Sequence, residues 1–205
     1  MGYNYKKWKE RLATRTDMTI MVTHLTKPSK ELNAFEVLLK ILEERTLIGS
    51  SPGEPGFIVG NNRTVCFQEA PMYSLAQNVY LEQQLRKNNP EAKIRYYGMG
   101  VSFSKNYLYN AGARPVIYEK TERAKELLSP EEYWRIVNYD LSDSNNIIDW
   151  THEREWRIKG DFTFDLEEVV VILPNSDSYK KFLESDTHGV VSKLKGIINI
   201  GLIFF

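Results

Sequence analysis

Residues Tyr96–Ser104 read Tyr-Tyr-Gly-Met-Gly-Val-Ser-Phe-Ser. The stretch predicts a strand over Tyr97–Ser104, and side chains two apart on a strand share a face. Ser102 and Ser104 therefore put two hydroxyls on one side. Gly98 and Gly100 mark a bulge or a close backbone approach. The Gly-x-Gly is no dinucleotide fingerprint, because it lies inside a strand and lacks the third glycine and the following helix.

Upstream of this strand, Pro71–Arg86 reads as a helix with Met72, Leu75, Val79 and Leu85 inward. Val65–Gln68 is a short strand before it. Asn33 to Arg45 is the clearest helix: Phe35, Leu38, Leu39 and Leu42 recur at helical spacing while Lys40, Glu43 and Glu44 fall elsewhere. Asp17–Thr23 is a short apolar, β-branched run and predicts the first strand. Downstream, Arg114–Glu119 predicts a strand. Ser129-Pro-Glu-Glu132 has the cap, the first-turn proline and the acid of a capping box, and opens a helix carrying Tyr133, Trp134 and Val137. Glu153–Ile158 and Glu168–Leu173 predict two late strands, and the apolar Gly196–Phe205 a final strand in the core. Strands and helices alternate unevenly, which is α+β rather than a βαβ series.

The chain has 205 residues, enough to bury a core without disulfides or metal. No repeat or linker divides it. Gly49–Gly60, rich in Gly, Pro and Ser, reads as a surface loop, and residues 1–205 are expected to form a single domain. Cys66 is the one cysteine. It cannot make an intramolecular disulfide or a Cys-rich zinc site, so a cytoplasmic protein is expected, although a cysteine-poor secreted protein fits the same count. The N-terminus has no apolar signal segment, and Lys6 stands where a myristoylation motif has Ser or Thr. The C-terminal apolar run is about half the length of a spanning helix, so no membrane partner is expected. Lys+Arg and Asp+Glu number 27 each. Overall charge thus gives no footprint for nucleic acid. The local run Lys6-Lys7-Trp8-Lys9 with Arg11 and Arg15 is the candidate patch, its alternative being a solvated helix face.

Four places have residue types that can do chemistry. In His152-Glu-Arg-Glu-Trp-Arg157, a strand would project Glu153 and Glu155 from one face and Arg154 and Trp156 from the other. Paired carboxylates repel unless something cationic binds there. The alternative is a surface strand whose acids face water, with Arg154 and Arg157 as counter-ions. His24 ends the first strand and reaches a cleft, or is a hydrogen-bonded structural residue. Ser102 and Ser104 form the third place. Cys66–Pro71, a strand end before a helix start, is the fourth, with Cys66 read as core rather than nucleophile. No acid and histidine spacing suggests a metal.

The order of these features resembles the ADP-ribosyltransferase superfamily: a strand ending in His24, the Asn33-to-Leu42 helix, the Ser-x-Ser strand, then Glu-x-Glu on a late strand. The nearer resemblance is to AbiGi-type abortive-infection proteins of bacterial phage defence. It is carried by VCFQEAP (65–71), YGMGVSFSKNYLYNAGARPVIY (97–118) and DWTHEREWR (149–157), within residues 20–175. Thr23-His-Leu-Thr26 and the helix after it are similar, more distantly, to DarT-like enzymes that modify nucleic-acid bases. Those enzymes place an arginine in the corner where this chain has Glu69, so a DNA-base target does not carry over.

The resemblance implies a mixed, largely antiparallel split sheet with flanking helices. It implies NAD as substrate, a nucleic-acid or protein acceptor, and a toxin or effector role with an antitoxin partner. Glu155 would be the catalytic glutamate and Glu153 would serve the acceptor. His24 would hold a ribose hydroxyl, Ser102 or Ser104 would shape the nicotinamide site and Tyr97 would stack on its ring. Arg63 or Arg114 would pair with the pyrophosphate, from residue type alone. An NAD hydrolase and a non-catalytic sensor or binding module of the same fold are the alternatives.

Overall fold

The computed structural model describes residues 2–53, 58–89, 91, 95–186 and 188–203. In chain order the elements are α1 (Tyr5–Ala13), β1 (Met21–Leu25), α2 (Ala34–Glu44), β2 (Thr46–Leu47), β3 (Thr64–Gln68), α3 (Met72–Asn88), β4 (Gly100–Ser104), α4 (Lys105–Asn110), β5 (Arg114–Pro115), β6 (Ile117–Glu119), α5 (Thr121–Leu127), β7 (Ile136–Asn138), β8 (Glu155–Lys159), β9 (Phe162–Thr163), β10 (Val170–Leu173), α6 (Ser176–Glu184) and β11 (Gly196–Asn199). The protein is a mixed α+β structure, largely antiparallel, with helices accompanying the strands. Two compact units share the chain. One comprises Met1–Arg45, Ala70–Lys105 and Phe164–Phe205, the other Thr46–Glu69 and Asn106–Thr163.

In the first unit the strand order is β11-β10-β4-β1. Strand β4 runs antiparallel to both β1 and β10, and β10 runs parallel to β11. Helix α2 forms where its periodicity places it. The Asn33 side chain accepts from the Phe35 and Glu36 amides, and Glu36 Oε2 accepts from the Asn33 amide at 2.8 Å. This reciprocal box satisfies donors that a helix start otherwise leaves open. Leu38 and Leu42 are buried, whereas Lys40, Glu43 and Glu44 face solvent. Arg45, at φ 51, ends the helix. Helix α3 buries Leu75, Ala76 and Val79 in a cluster with Ala70, Ile172 and Ile200. Leu85, expected inward, is exposed. It lies in the last turn, three residues before the helix ends.

The second unit holds the order β3-β8-β5, antiparallel throughout, with two small pairs, β2 with β9 and β6 with β7. Phe162 stands edge-on to both Phe67 and Tyr107. Such tilted pairs add to the burial of their rings.

Several boundaries move from their predicted places. The first strand begins at Met21, after the exposed pair of Arg15 with Asp17. The strand expected over Tyr97–Ser104 begins at Gly100, because Gly98 has φ +68 and leaves the extended region. Arg114–Glu119 divides into β5 and β6 at Val116: the Val116 amide still bonds to the Glu155 carbonyl at 3.0 Å, in register with the β5–β8 ladder, and Ile117–Glu119 then pairs with β7 instead. The helix expected after Ser129 is a short 3-10 turn over Pro130–Arg135, in which Glu132 pairs with Arg135 instead of closing a capping box. The chain then extends, with Ile136–Asn138 paired to β6 and the Trp134 and Ile136 carbonyls accepting from Arg157. The C-terminal run is a strand only to Asn199. There the Asn199 side chain accepts from the Gly201 amide, and a 3-10 turn takes over. Phe204 and Phe205 lie outside the described residues, as do 54–57 of the expected loop. No helix among the described residues is long and apolar enough to cross a membrane.

Gly100 has a steric reason to be glycine. A Cβ there would collide with the His24 carbonyl oxygen and come within 3.0 Å of two more backbone atoms on β1. Gly100→Ala is therefore expected to cost about 3 kcal/mol or more, at the upper end for overpacking. Gly196→Ala, which meets nothing within 4 Å, should stay within about 0.5 kcal/mol of wild type. Urea unfolding of the two variants checks the contrast; equal midpoints would refute it.

Candidate active site

The second unit gathers an unusual set of polar groups on the β3–β8 ladder. Its register pairs Cys66 with Arg157, Phe67 with Trp156 and Gln68 with Glu155. Directly opposed residues share a face. One face thus carries Cys66, Gln68, Glu155 and Arg157, while Phe67 and Trp156 occupy the other. On that second face the Trp156 indole donates to Glu69 Oε2 at 2.8 Å. Glu69, the residue that departs from the DarT-like pattern, thus holds a tryptophan.

Arg157 is 2% exposed and its donors are heavily used. Nε and Nη2 donate to the two Glu155 oxygens at 2.8 and 3.3 Å, and Nη1 donates to the Trp134 and Ile136 carbonyls at 2.9 and 3.0 Å. Burial lowers its pKa, but the charge and hydrogen bonding of Glu155, together with Cys66, outweigh this, and the net shift is upward. The arginine stays cationic and fixes the Glu155 carboxylate. The counter-ion alternative read from the sequence therefore holds for Glu155 and Arg157, within one strand.

Glu153 does not share that strand, which corrects the expected Glu153–Ile158 element. Asp149 accepts from the Thr151 amide and hydroxyl at 2.8 and 2.6 Å, which bends the chain into a 3-10 turn over Thr151–Glu153. These bonds hold the Asp149 carboxyl below its ordinary pKa. Arg154 then adopts φ 44, a left-handed conformation costly to a residue with a Cβ. The strand starts only at Glu155. Glu153 instead accepts from Gln68 Nε2 at 2.6 Å and stands 3.8 Å from His152 Nε2. The carboxylates differ in what holds them: Glu155 has a guanidinium, Glu153 a neutral amide. Gln68 is 5% exposed, and its carbonyl oxygen has no hydrogen-bond partner among the described residues.

Tyr118 joins this group from β6. Its oxygen accepts from the Glu155 amide at 2.8 Å. Burial pushes its pKa up to about 12, and the Glu155 and Glu153 charges add to the rise, against a lowering by the Glu155 amide. The phenol is thus a neutral donor beside two carboxylates. Burial, then the Glu155 charge, pushes the Cys66 thiol far above its ordinary range. A protonated thiol is a poor nucleophile, so Cys66 acts as packing.

Of the remaining predicted residues, Arg114 opposes Arg157 in the β5–β8 register and so shares the face of this group. Arg63 donates to the Gly49 carbonyl at 3.0 Å and stands 3.6 Å from Asp161. Arg114 lies 3.9 Å over the Tyr109 ring and donates to the Tyr109 and Ala113 carbonyls. Both guanidinia tie backbone together in the second unit. His24, Tyr97, Ser102 and Ser104 belong to the first unit. Ser102 is fully buried: its hydroxyl accepts from Thr23 Oγ1 at 3.0 Å and donates to the Val22 carbonyl at 3.2 Å. The β1–β4 register pairs Thr23 with Ser102 and Met21 with Ser104, but His24 with Val101. The two serines thus leave one face of the ladder and His24 the other. Tyr97 is half-buried in the segment before β4. No three acids, histidines or cysteines among the described residues could hold a metal.

Sequence reasoning passed over Gln68 and Tyr118 and treated Arg157 only as a surface counter-ion. Gln68 had a readable signal, a polar residue amid the strand Thr-Val-Cys-Phe-Gln. Arg157 had another, the i to i+2 spacing from Glu155 that puts both on one strand face. Comparison with protein-family models, curated proteins and solved structures finds no match to this chain.

The Tyr118 shift predicts a pH dependence. A folded pKa of about 12, against about 10 in the unfolded chain, means that the folded state binds the proton more tightly. Its stabilising contribution is full below pH about 10 and disappears as pH rises to about 12. Ultraviolet titration should show one phenolate step near 12 that Tyr118→Phe removes. If the variant instead lacks a step near pH 10, the environment assigned to Tyr118 is wrong.

Proposed function

We propose that the protein is an NAD-dependent ADP-ribosyltransferase acting as a toxin or effector in phage defence, with a nucleic acid or a protein as acceptor. The observation that carries this reading is the pair of differently held carboxylates. Glu155 is fixed by buried Arg157 and Glu153 is held by Gln68, with the neutral Tyr118 hydroxyl beside the Glu155 amide. The defence role rests on the AbiGi-like motifs alone.

Breaking the nicotinamide–ribose bond develops positive charge on the ribose carbon, as in other glycosyl transfers. A carboxylate held in place before the reaction stabilises that charge without reorganising. Glu155 has this property, because two guanidinium bonds set its position. Its other capacity is to accept from a ribose hydroxyl. Glu153, which accepts from the Gln68 amide and lies 3.8 Å from His152 Nε2, takes the proton of the acceptor or of water. Tyr118 donates to an oxygen of the substrate. His24, Tyr97, Ser102 and Ser104 remain assigned to NAD by resemblance only, and the committed hydroxyl of Ser102 favours a structural part for it.

A second reading has a specific observation behind it. Arg157 engages both Glu155 oxygens, and such a pair also suits a non-catalytic binding module whose acid is purely structural. Incubation with NAD labelled in the adenylate, with DNA, RNA and lysate proteins offered as acceptors, separates the readings. Label on a macromolecule marks a transferase, free ADP-ribose an NAD hydrolase, and intact NAD the binding module.

Glu155→Gln should lower NAD cleavage on the order of 10²–10³-fold. It should also destabilise the protein by about 3 kcal/mol, because it leaves a buried arginine without its counter-charge. In a chain of this size that is a Tm fall on the order of 10 °C, so the assay is run well below the variant's Tm. Glu153→Gln leaves no buried arginine unpaired, should lower Tm far less than Glu155→Gln does, and should cut transfer more than hydrolysis. Wild-type cleavage by folded Glu155→Gln would end the assignment.

A further inference from the structure

Helix α1 stands apart from the proposed chemistry. None of its nine residues is buried. Trp8 and Leu12, one turn apart, are its only half-buried positions. Lys6, Lys7, Lys9 and Arg11 fan around the rest of the helix, all exposed. Residues 1–16 carry five Lys and Arg against one Glu, whereas the other 189 residues carry 22 against 26. A chain with no overall charge thus concentrates its positive excess in one short arm.

Aromatic rings accompany that charge. Tyr3 and Tyr5 are 56% and 50% exposed. The Arg11 guanidinium lies 5.0 Å over the Tyr3 ring and Lys9 Nζ 4.7 Å over the Tyr5 ring. Flat rings capped by cations are the equipment of a surface that stacks bases and neutralises phosphates together. A bilayer is the poorer match. Helices that lie in membranes offer an apolar face to the acyl chains, and here the two apolar side chains opposite the cations are half covered by the protein itself. The helix is also shorter than the roughly 12–15 residues at which isolated helices become marginally stable. Its Asn4 cap, which accepts from the Lys7 amide at 2.9 Å, and a bound polyanion would both favour it.

We propose that the exposed face of α1 binds single-stranded nucleic acid, phosphates meeting Lys6, Lys7, Lys9 and Arg11 and bases stacking on Tyr3 and Tyr5. That the bound strand is also the acceptor rests on the transferase reading; the binding itself does not.

The test uses the full chain without NAD and fluorescein-labelled 15-nucleotide DNA and RNA of mixed sequence, read by anisotropy. Four phosphate contacts predict a slope of log affinity on log salt of about −3, hence about a fiftyfold loss between 50 and 200 mM salt. Lys6→Gln, Lys7→Gln and Lys9→Gln together should reduce that slope by about 2. Tyr3→Ala and Tyr5→Ala should each weaken binding on the order of tenfold at unchanged slope. No binding at 50 mM salt, a triple variant that binds like wild type, or binding to phosphatidylserine vesicles with none to the oligonucleotides would each overturn the proposal. NAD cleavage to free ADP-ribose, followed separately, should be untouched by these substitutions. A wild type that binds oligonucleotide but leaves NAD intact would fail the transferase reading alone.

Discussion

One buried guanidinium organises the second unit. Arg157 joins β8 to two carbonyls of the Trp134–Ile136 segment and to Glu155 on its own strand, at 2% exposure. A charge so far from water is tolerable only because a carboxylate and carbonyl dipoles replace its hydration. The arrangement has structural effects in several directions. It ties the Trp134–Ile136 segment, and with it the start of β7, to the ladder, and it fixes the conformation of Glu155. Whatever the acid does chemically, its orientation derives from the fold.

The two acids of Glu-x-Glu acquire different characters from a single backbone feature. Were residues 153–158 one extended strand, both carboxylates would emerge together and repel. The Asp149–Thr151 bonds and the left-handed Arg154 place Glu153 in a turn instead. Glu153 is then held by the Gln68 amide with His152 nearby, while Arg157 engages both oxygens of Glu155. A site whose two acids are held in different ways can position a substrate with one and move a proton with the other.

The periodic parts of the fold were legible in the sequence and the local exceptions were not. Helix α2 could be read to within one residue at each end because Phe35, Leu38, Leu39 and Leu42 recur at helical spacing. The core strands could be read to within a few residues from their apolar runs. What the sequence hid were places where a distant group decides a local conformation. Ser129-Pro-Glu-Glu has the composition of an α-helix start, but the residues after it, Ile136–Asn138, are drawn into a strand pair with β6. Arg114–Glu119 reads as one strand, yet its second half leaves β8 for β7. At the candidate site the acids and Gln68 were legible as residue types, but Tyr118 was not. How these groups come together depends on cross-strand register, which no spacing along the chain discloses. His24 and Ser102 show the same dependence, since a one-residue difference in pairing separates an imidazole and a hydroxyl onto opposite faces.

The chain passes between its two units four times, after residues 45, 69, 105 and 163. On a ribosome this order matters. Strand β4 can pair with β1 once about half the polypeptide has emerged, but its other edge waits for β10, whose residues 170–173 come among the last. Until then a strand with unpaired amides and carbonyls is open to any neighbouring chain. The second unit, complete at residue 163, can be assembled while the first still lacks its central partner. Newly made protein thus passes through an interval in which the part bearing Arg157, Glu153 and Glu155 can be finished and the part bearing β4 cannot, and a chaperone would find its substrate in that interval.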